Sequence, residues 1–269
     1  MKKERACNGE RAYILGMDGL LHCNVCKEAL EVFYPQGSLL EGRKHHRQCA
    51  CERKAYAEDA KYHKEKEHRE LVARNRGICY EEKEMRNWTF QNADEENRLI
   101  KIAKDYVAIW EEMKRNHMGY LLWEPIGTGK SYLAGCIANA LLEQEVTVKM
   151  TNFNTILNDL FDVEEKSEYI RSLAGYDLLI IDDLGVERSS EYALENIFSV
   201  INRRYRSGKP LIVTTNLPLS KLKSETNTDK KRICDRVLER CVPLKIDGNS
   251  RREAIANNNV HAMKKILNI

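Results

Sequence analysis

An apolar run, Gly119-Tyr120-Leu121-Leu122-Trp123, passes through Glu124-Pro125-Ile126-Gly127-Thr128-Gly129 into Lys130-Ser131 and a helical pattern. Strand, glycine-bearing turn and helix in direct succession form a phosphate-binding loop. Backbone N–H groups of such a turn cradle phosphate oxygens, and the helix start adds the positive end of its dipole. Thr128 and Gly129 belong to the cradle, Lys130 reaches the outer phosphates, and Ser131 offers its hydroxyl to Mg²⁺. The usual form, Gly-x-x-x-x-Gly-Lys-Ser, has glycine where this chain has Glu124. A Cβ in a glycine-only conformation costs about 1–2 kcal/mol, and each 1.4 kcal/mol is about tenfold in affinity. Two outcomes stay open for Glu124: its carboxylate faces phosphate and weakens nucleotide use, or it points to solvent and leaves Gly127 and Gly129 to shape the turn.

About 50 residues later Tyr176-Asp177-Leu178-Leu179-Ile180-Ile181-Asp182-Asp183 reads as a buried strand ending in two carboxylates. Asp182 is placed to hold Mg²⁺ and Asp183 to polarise an attacking water. The strand Leu211 to Thr215 ends in Asn216, whose amide can orient that water or the γ-phosphate. Further strands are expected at Val146 to Thr151, Asp177 to Ile181 and, more weakly, Val242 to Ile246. Helices are expected at about 130–144, 153–162, 164–173, 190–206 and 229–240. Apolar strands alternating with helices predict a parallel sheet with crossover helices. An amphipathic helix with Leu99, Ile102, Ala103, Tyr106 and Trp110 on one face precedes the first strand.

The 269 residues allow one substantial core and a small accessory domain. Charged residues at 32% and hydrophobic ones at 42% describe a soluble globular chain. No apolar run reaches the roughly 18 residues of a membrane span, and the charged start lacks a signal-peptide core, so the expected location is cytoplasmic. A net charge of +3 does not by itself announce a nucleic-acid partner. Five of the nine cysteines fall before residue 52. Cys23-Asn24-Val25-Cys26 forms one metal knuckle and Cys49-Ala50-Cys51 a second pair, which together suit a tetrahedral structural zinc site. Cys7, His45 and His46 are alternative ligands. Cys79, Cys136, Cys234 and Cys241 are expected to be packing residues. The resulting division is a zinc-binding module at 1–51, a charged helical linker at 52–80 and an ATPase domain at 81–269.

Several runs in order carry a resemblance: Gly119 to Ser131, Leu179 to Arg188, Asn202-Arg203-Arg204-Tyr205, Val213-Thr214-Thr215-Asn216-Leu217, Arg232 to Val237 and Gly248-Asn249-Ser250-Arg251-Arg252. Over roughly residues 85–255 the chain resembles the DnaC-type helicase loaders, within the loader and IstB branch of AAA+ proteins. The resemblance implies an α/β fold: an AAA+ P-loop NTPase core with a parallel sheet and flanking helices, joined to the small N-terminal zinc-binding domain. Because only 17 residues follow Arg252, a full C-terminal lid is expected to be missing. The implied function is an ATPase, using ATP and Mg²⁺, that escorts the replicative hexameric DNA helicase onto single-stranded DNA. Under it Lys130 and Ser131 are Walker A, Asp182 and Asp183 Walker B, and Asn216 sensor 1. Arg236 resembles an arginine finger acting on a neighbouring subunit's γ-phosphate, and Arg251 or Arg252 a sensor-2-like cation. Nucleotide sandwiched between subunits implies self-assembly with ATP, partner or DNA.

By the same resemblance residues 1 to about 75 grip the helicase. Arg203, Arg204, Arg206 and Lys209, and again Lys221, Lys223, Lys230, Lys231 and Arg232, are candidate contacts along a single-strand path. Two competing functions are an IstB-like helper of transposition and a catalytically weakened adaptor, the latter suggested by Glu124.

Overall fold

The computed structural model describes residues 13–92, 97–123, 128–185, 190–246, 260 and 263–267. These fall into two compact units, residues 1–69 and 70–269.

The first unit holds two antiparallel hairpins, β1 (Tyr13–Leu15) with β2 (Leu21–Cys23), and β3 (Glu31–Phe33) with β4 (Lys44–His46). None of these three-residue strands was expected from periodicity, because two-residue alternation cannot register over so short a run. Helix α1 (Ala50–Cys79) starts in this unit and runs past its end. Its sequence Glu52 to Arg76 is the expected charged helix, and Val72 and Cys79 are its buried residues.

In the second unit α2 (Arg98–Ala108) and α3 (Trp110–Arg115) precede β5 (Gly119–Trp123). Then follow α4 (Lys130–Glu143), β6 (Val148–Asn152), α5 (Phe153–Asp162), α6 (Lys166–Gly175) and β7 (Leu178–Leu184). The order closes with α7 (Glu191–Ser207), β8 (Leu211–Thr215), α8 (Leu219–Lys223), α9 (Thr228–Arg240) and β9 (Cys241–Lys245). Five strands pair in parallel in the order β6-β7-β8-β5-β9. Strand β8 therefore lies between the strand that enters the phosphate loop and the strand that carries the acidic pair.

Three expectations need correction. The expected helical face of Leu99 and Ile102 is only half-buried, whereas Ile100, Ala103, Tyr106, Val107 and Trp110 are buried. Ala103, Tyr106 and Trp110 thus lie on the buried face as expected, Ile100 and Val107 join them, and the helix breaks at Ile109 so that Trp110 opens a new one. Strand β7 does not end before the carboxylates but continues through Asp182 and Asp183 to Leu184, with one extra residue opposite β8 between Ile181 and Leu184. Arg204 is not a surface cation: it is 1% exposed. The four remaining cysteines behave as expected, since Cys79, Cys136, Cys234 and Cys241 are all buried.

The sequence placed Arg204 in a basic run, but α7 turns it inward beneath the sheet. Its guanidinium donates to the carbonyls of Ala174 (3.1 Å), Tyr176 (2.6 Å), Asp177 (2.8 Å) and Pro210 (3.2 Å from Nε). Those carbonyls lie where the chain leaves α6 for β7 and where it enters β8. One side chain thus satisfies backbone groups at the amino ends of two adjacent strands. Burial pulls its pKa down to about 9, which leaves the group charged at neutral pH.

Replacing Arg204 with Met keeps the length but strands these acceptors. At about 1–3 kcal/mol for a buried polar group left unpaired, a loss of about 3 kcal/mol is expected. The melting temperature in a circular-dichroism scan should fall by about 6–12 °C; a fall below about 2 °C would show that water replaces the guanidinium.

Candidate functional site

Three elements converge at the carboxyl ends of β5, β7 and β8, the edge where open parallel sheets bind ligands. Gly129 sits at φ +95°, a left-handed conformation that favours glycine, and hands the chain to α4. Lys130 opens that helix and is buried, 5% exposed. Ser131 follows, its hydroxyl donating to Asp182 Oδ1 at 3.0 Å. Walker-type serine and carboxylate, 51 residues apart in sequence, are in direct contact.

Asp182 is flanked from the other side by Thr214 of β8, whose hydroxyl donates to the same Oδ1 at 2.5 Å. Burial raises the Asp182 pKa, as does the neighbouring Asp183, while the Thr214 and Ser131 hydroxyls and Lys130 oppose them. A carboxylate in this setting would gain charge compensation from a divalent cation. The donor set of hydroxyl and carboxylate oxygens suits a hard cation such as Mg²⁺.

Asp183 is built differently. Its φ of +59° places it in the left-handed region, which aspartate tolerates better than most residues. The backbone N–H that this kink exposes donates to Thr214 Oγ1 at 2.9 Å. The side chain turns outward, exposed, where Asn216 Nδ2 donates to its Oδ1 at 3.3 Å. Inner and outer carboxylates thus separate into a half-buried group held by two hydroxyls and an accessible acceptor. Gly185, at φ +97°, ends the acidic segment; a Cβ there would lie 2.5 Å from Leu217 Cδ1, so only glycine lets β7 pass this side chain.

Thr214 and Thr215 were not singled out from the sequence. Both are 0% exposed, and Thr215 Oγ1 donates to Leu184 O (2.7 Å) and accepts from Leu217 N (3.1 Å). A pair of hydroxyls ending an otherwise apolar strand was the available signal, since buried hydroxyls must find partners.

Arg236 lies on α9. Its guanidinium stacks over Phe198 (4.6 Å to the ring centroid) and Tyr205 (5.7 Å), and donates to Asn202 Oδ1 at 3.1 Å. Arg232 and Arg240 stack on the same two rings at 4.0 and 4.5 Å, giving an alternating cation and ring ladder between α9 and α7. Glu124 and Gly127 of the loop, Glu187 and Arg188, and Arg251 and Arg252 lie outside the described residues, as does Cys7.

In the first unit, the turn after β2 brings Cys23 and Cys26 together. Lys27 N donates to Cys23 O at 2.9 Å while Lys27 adopts φ +63°, the tight reversal of a metal knuckle. Cys49 and Cys51 enter from the first turn of α1, which is tied back to the knuckle by Glu28: Ala50 N donates to its carboxylate (2.5 Å) and Arg53 pairs with it (3.2 Å). The four Sγ atoms lie within 4.8 Å of one another. Tetrahedral zinc with bonds of about 2.3 Å needs sulfurs about 3.8 Å apart, so the set fits. The Glu28 backbone N–H pulls the Cys26 thiol down to about 6, burial pushes Cys49 up, and hydrogen bonding with Cys26 pushes Cys51 up to about 12. Thiols that cannot all ionise side by side are those a divalent cation relieves. His45 and His46 stay apart from the four: His46 meets Glu52 at 3.3 Å and His45 stacks on Tyr34 at 4.7 Å.

Comparison with known proteins agrees with this geometry. The family model described as IstB-like ATP binding protein matches residues 59–258. The replicative helicase loader DnaC of Escherichia coli (strain K12) is 30% identical over 156 residues, 56% of this chain and 61% of that protein. The chain therefore spans less than two thirds of that relative. The phage-like element PBSX protein XkdC of Bacillus subtilis (strain 168) is 31% identical over 132 residues, 45% of this chain and 48% of that protein. Among solved structures, DnaI matches with a TM-score of 0.56 at 22% identity, covering 66% of this chain and 99% of that one. The DnaC helicase loader matches with a TM-score of 0.52 at 20% identity, covering 62% and 100%. At these identities the structural likeness is one of fold, the α/β AAA+ core with its five-stranded parallel sheet. With the family model covering most of the chain and the site geometry in agreement, the chain belongs to the IstB-like ATP binding protein family.

Proposed function

We propose that the protein is an ATP-dependent loader of the replicative hexameric helicase onto single-stranded DNA. The observation that carries the ATPase half is the Ser131–Asp182–Thr214 contact beside the Asp183–Asn216 pair. In this reading Gly127, Thr128, Gly129 and Lys130 receive the triphosphate, and Ser131 and Asp182 hold Mg²⁺, which neutralises charge developing on the phosphates. Asp183 accepts a proton from the attacking water, and Asn216 fixes the carboxylate that does so. Arg251 and Arg252 are assigned a sensor-2-like role, and Arg236 acts in trans within an assembly.

The loader half is supported by the similarity to a protein named for loading the replicative helicase and by the first unit. Leu15, Met17, Val25 and Leu39 each expose more than two thirds of their surface there. Apolar side chains on a module stapled by zinc suit a docking role, because a closed Cys₄ site leaves no coordination position for chemistry. Among the described residues no helix is long and apolar enough to cross a membrane.

Lys130→Ala should weaken binding of a fluorescent ATP analogue about 10- to 100-fold, since it removes one charge-assisted contact in a partly dry site. Asp183→Asn should leave that binding intact and lower hydrolysis by about 100-fold or more, the usual size of a lost general base. Equal hydrolysis by parent and Asp183→Asn would remove Asp183 from the reaction.

Metal analysis of the purified chain should find stoichiometric zinc, lost in Cys49→Ser. Chelation should unfold residues 13–49 and leave nucleotide binding in place. Retention of a replicative helicase hexamer on the immobilised chain should be abolished by the same loss of zinc. No retention with or without ATP would instead favour the transposition reading.

A further inference from the structure

Thr214 lies inside β8, 0% exposed, between the strand that carries the acidic pair and the strand that enters the phosphate loop. Its hydroxyl is used in both directions. It donates to Asp182 Oδ1 at 2.5 Å and accepts from the Asp183 backbone N–H at 2.9 Å. Strand β8 pairs with neighbours on both sides, so its core position would be filled as well by valine if packing were the only demand.

The adjacent Thr215 shows the ordinary use of a buried strand hydroxyl. It is equally unexposed, and its Oγ1 bonds only backbone, donating to Leu184 O at 2.7 Å and accepting from Leu217 N at 3.1 Å. Thr214 instead meets both members of the acidic pair, one through its side chain and the other through its main chain.

The donors on Asp182 are unevenly shared. Ser131 and Thr214 both donate to Oδ1, and among the described residues none donates to Oδ2. A carboxylate has about four lone-pair sites, two on each oxygen, so two hydroxyls occupy one oxygen and fix the rotation of the group. Branching at Cβ restricts the threonine χ1, which holds the hydroxyl to one direction. On the outer side, the bond to Asp183 N–H secures the residue at φ +59°, and in that conformation its Oδ1 accepts from Asn216 Nδ2 at 3.3 Å.

We propose that Thr214 is a positioning residue for ATP hydrolysis: by holding Oδ1 it presents Oδ2 of Asp182 to the cation, and by accepting from Asp183 N–H it keeps the outer carboxylate on Asn216. One hydroxyl thereby ties cation affinity to turnover. Thr214 touches neither nucleotide nor water in this role; it acts through the two aspartates. The assignment rests on the ATPase reading of the site.

The test titrates Mg²⁺ against binding of a fluorescent, non-hydrolysable ATP analogue to the full chain, with hydrolysis of ATP followed in parallel. The parent is compared with Thr214→Val, Thr214→Ser and Thr215→Val. Valine matches threonine in shape without the hydroxyl, and serine keeps the hydroxyl. In Thr214→Val the Mg²⁺ concentration for half-maximal binding should rise about tenfold, the size of one lost hydrogen bond to a charged group. Binding without Mg²⁺ should stay at the parent level, and kcat should fall at saturating Mg²⁺ and nucleotide. Thr214→Ser should reverse both changes. Thr215→Val should lower the melting temperature and leave the Mg²⁺ midpoint at the parent value, which separates positioning from packing. Should Thr214→Val fail to fold, Thr214→Cys carries the test, since its thiol is a weak donor of similar size and should move the midpoint in the same direction. A midpoint equal to the parent's, or moved no further than in Thr215→Val, overturns the proposal and leaves the ATPase reading standing. So does a shift that Thr214→Ser fails to reduce. A parent whose analogue binding does not respond to Mg²⁺ overturns both.

Discussion

Asp182, a half-buried carboxylate, sets the architecture around it. A buried carboxylate with two lone-pair-rich oxygens has to be surrounded by donors. Here Ser131 comes from the helix after β5 and Thr214 from β8. Thr214 reaches it because β8 is threaded between β5 and β7. A sheet with β5 beside β7 would bring Ser131 near but leave the carboxylate without Thr214, and Asp183 N–H without an acceptor. The extra residue of β7 opposite β8 serves the same end. It places Asp183 at φ +59° and points consecutive side chains to different environments, one inward to the Ser131 and Thr214 hydroxyls and one outward to solvent. Left-handed backbone at a non-glycine residue costs about 1–3 kcal/mol and persists where the surroundings fix it, as the Thr214 hydroxyl does here.

The two edges of the sheet divide the labour of charge. At the carboxyl edge the half-buried Asp182 stands with the buried Lys130, and in the proposed function a bound ligand would complete the balance. At the amino edge it buries Arg204 and completes the balance itself, with backbone carbonyls from α6, β7 and the approach to β8. Holding the amino ends of β7 and β8 together fixes their register, and register fixes which residues of β7 face Thr214. A slip of one residue would reverse every side chain and carry Asp182 away from Ser131. The guanidinium at one edge is thus a precondition for the carboxylate at the other.

Much of this was legible in the sequence, and the limits were physical. Strand β5 and helix α5 fall where expected because an apolar run bounded by turn residues and a 3.6-residue stripe are local signals. The acidic pair and Asn216 were legible because their residue types have few uses at a strand end. Thr214 was not, since its task exists only once β7 and β8 are neighbours, and strand order is not written locally. Arg204 stood in a run with Arg203 and Arg206 that reads alike throughout; α7 turns only the middle one inward, and its partners lie 6 to 30 residues away. The cysteine pairs were legible by spacing, but Glu28, which ties knuckle to helix, looked like any surface acid. On α2 and α3 the sequence placed Ala103, Tyr106 and Trp110 correctly but missed Ile100 and Val107, because apolar residues stand beside the buried face and periodicity alone does not choose between Leu99 and Ile100.

Arg236 shows how packing sets the terms of function. Its stack on Phe198 and Tyr205 orders α9 against α7, and each such contact is worth about 0.5–1 kcal/mol at an exposed site and about 2 when desolvated. A phosphate that draws Arg236 across a subunit boundary has to exceed that hold. A charge-assisted bidentate contact has the strength to do so, whereas a lone solvated charge does not. If Arg236 left, as its proposed role requires, Arg232 and Arg240 would still lie on the two rings, and β9, which follows α9 directly and pairs with β5, would keep its register. In the proposed role, a ladder of three cations on two rings would thus release its middle rung without unseating the strand beside the phosphate loop.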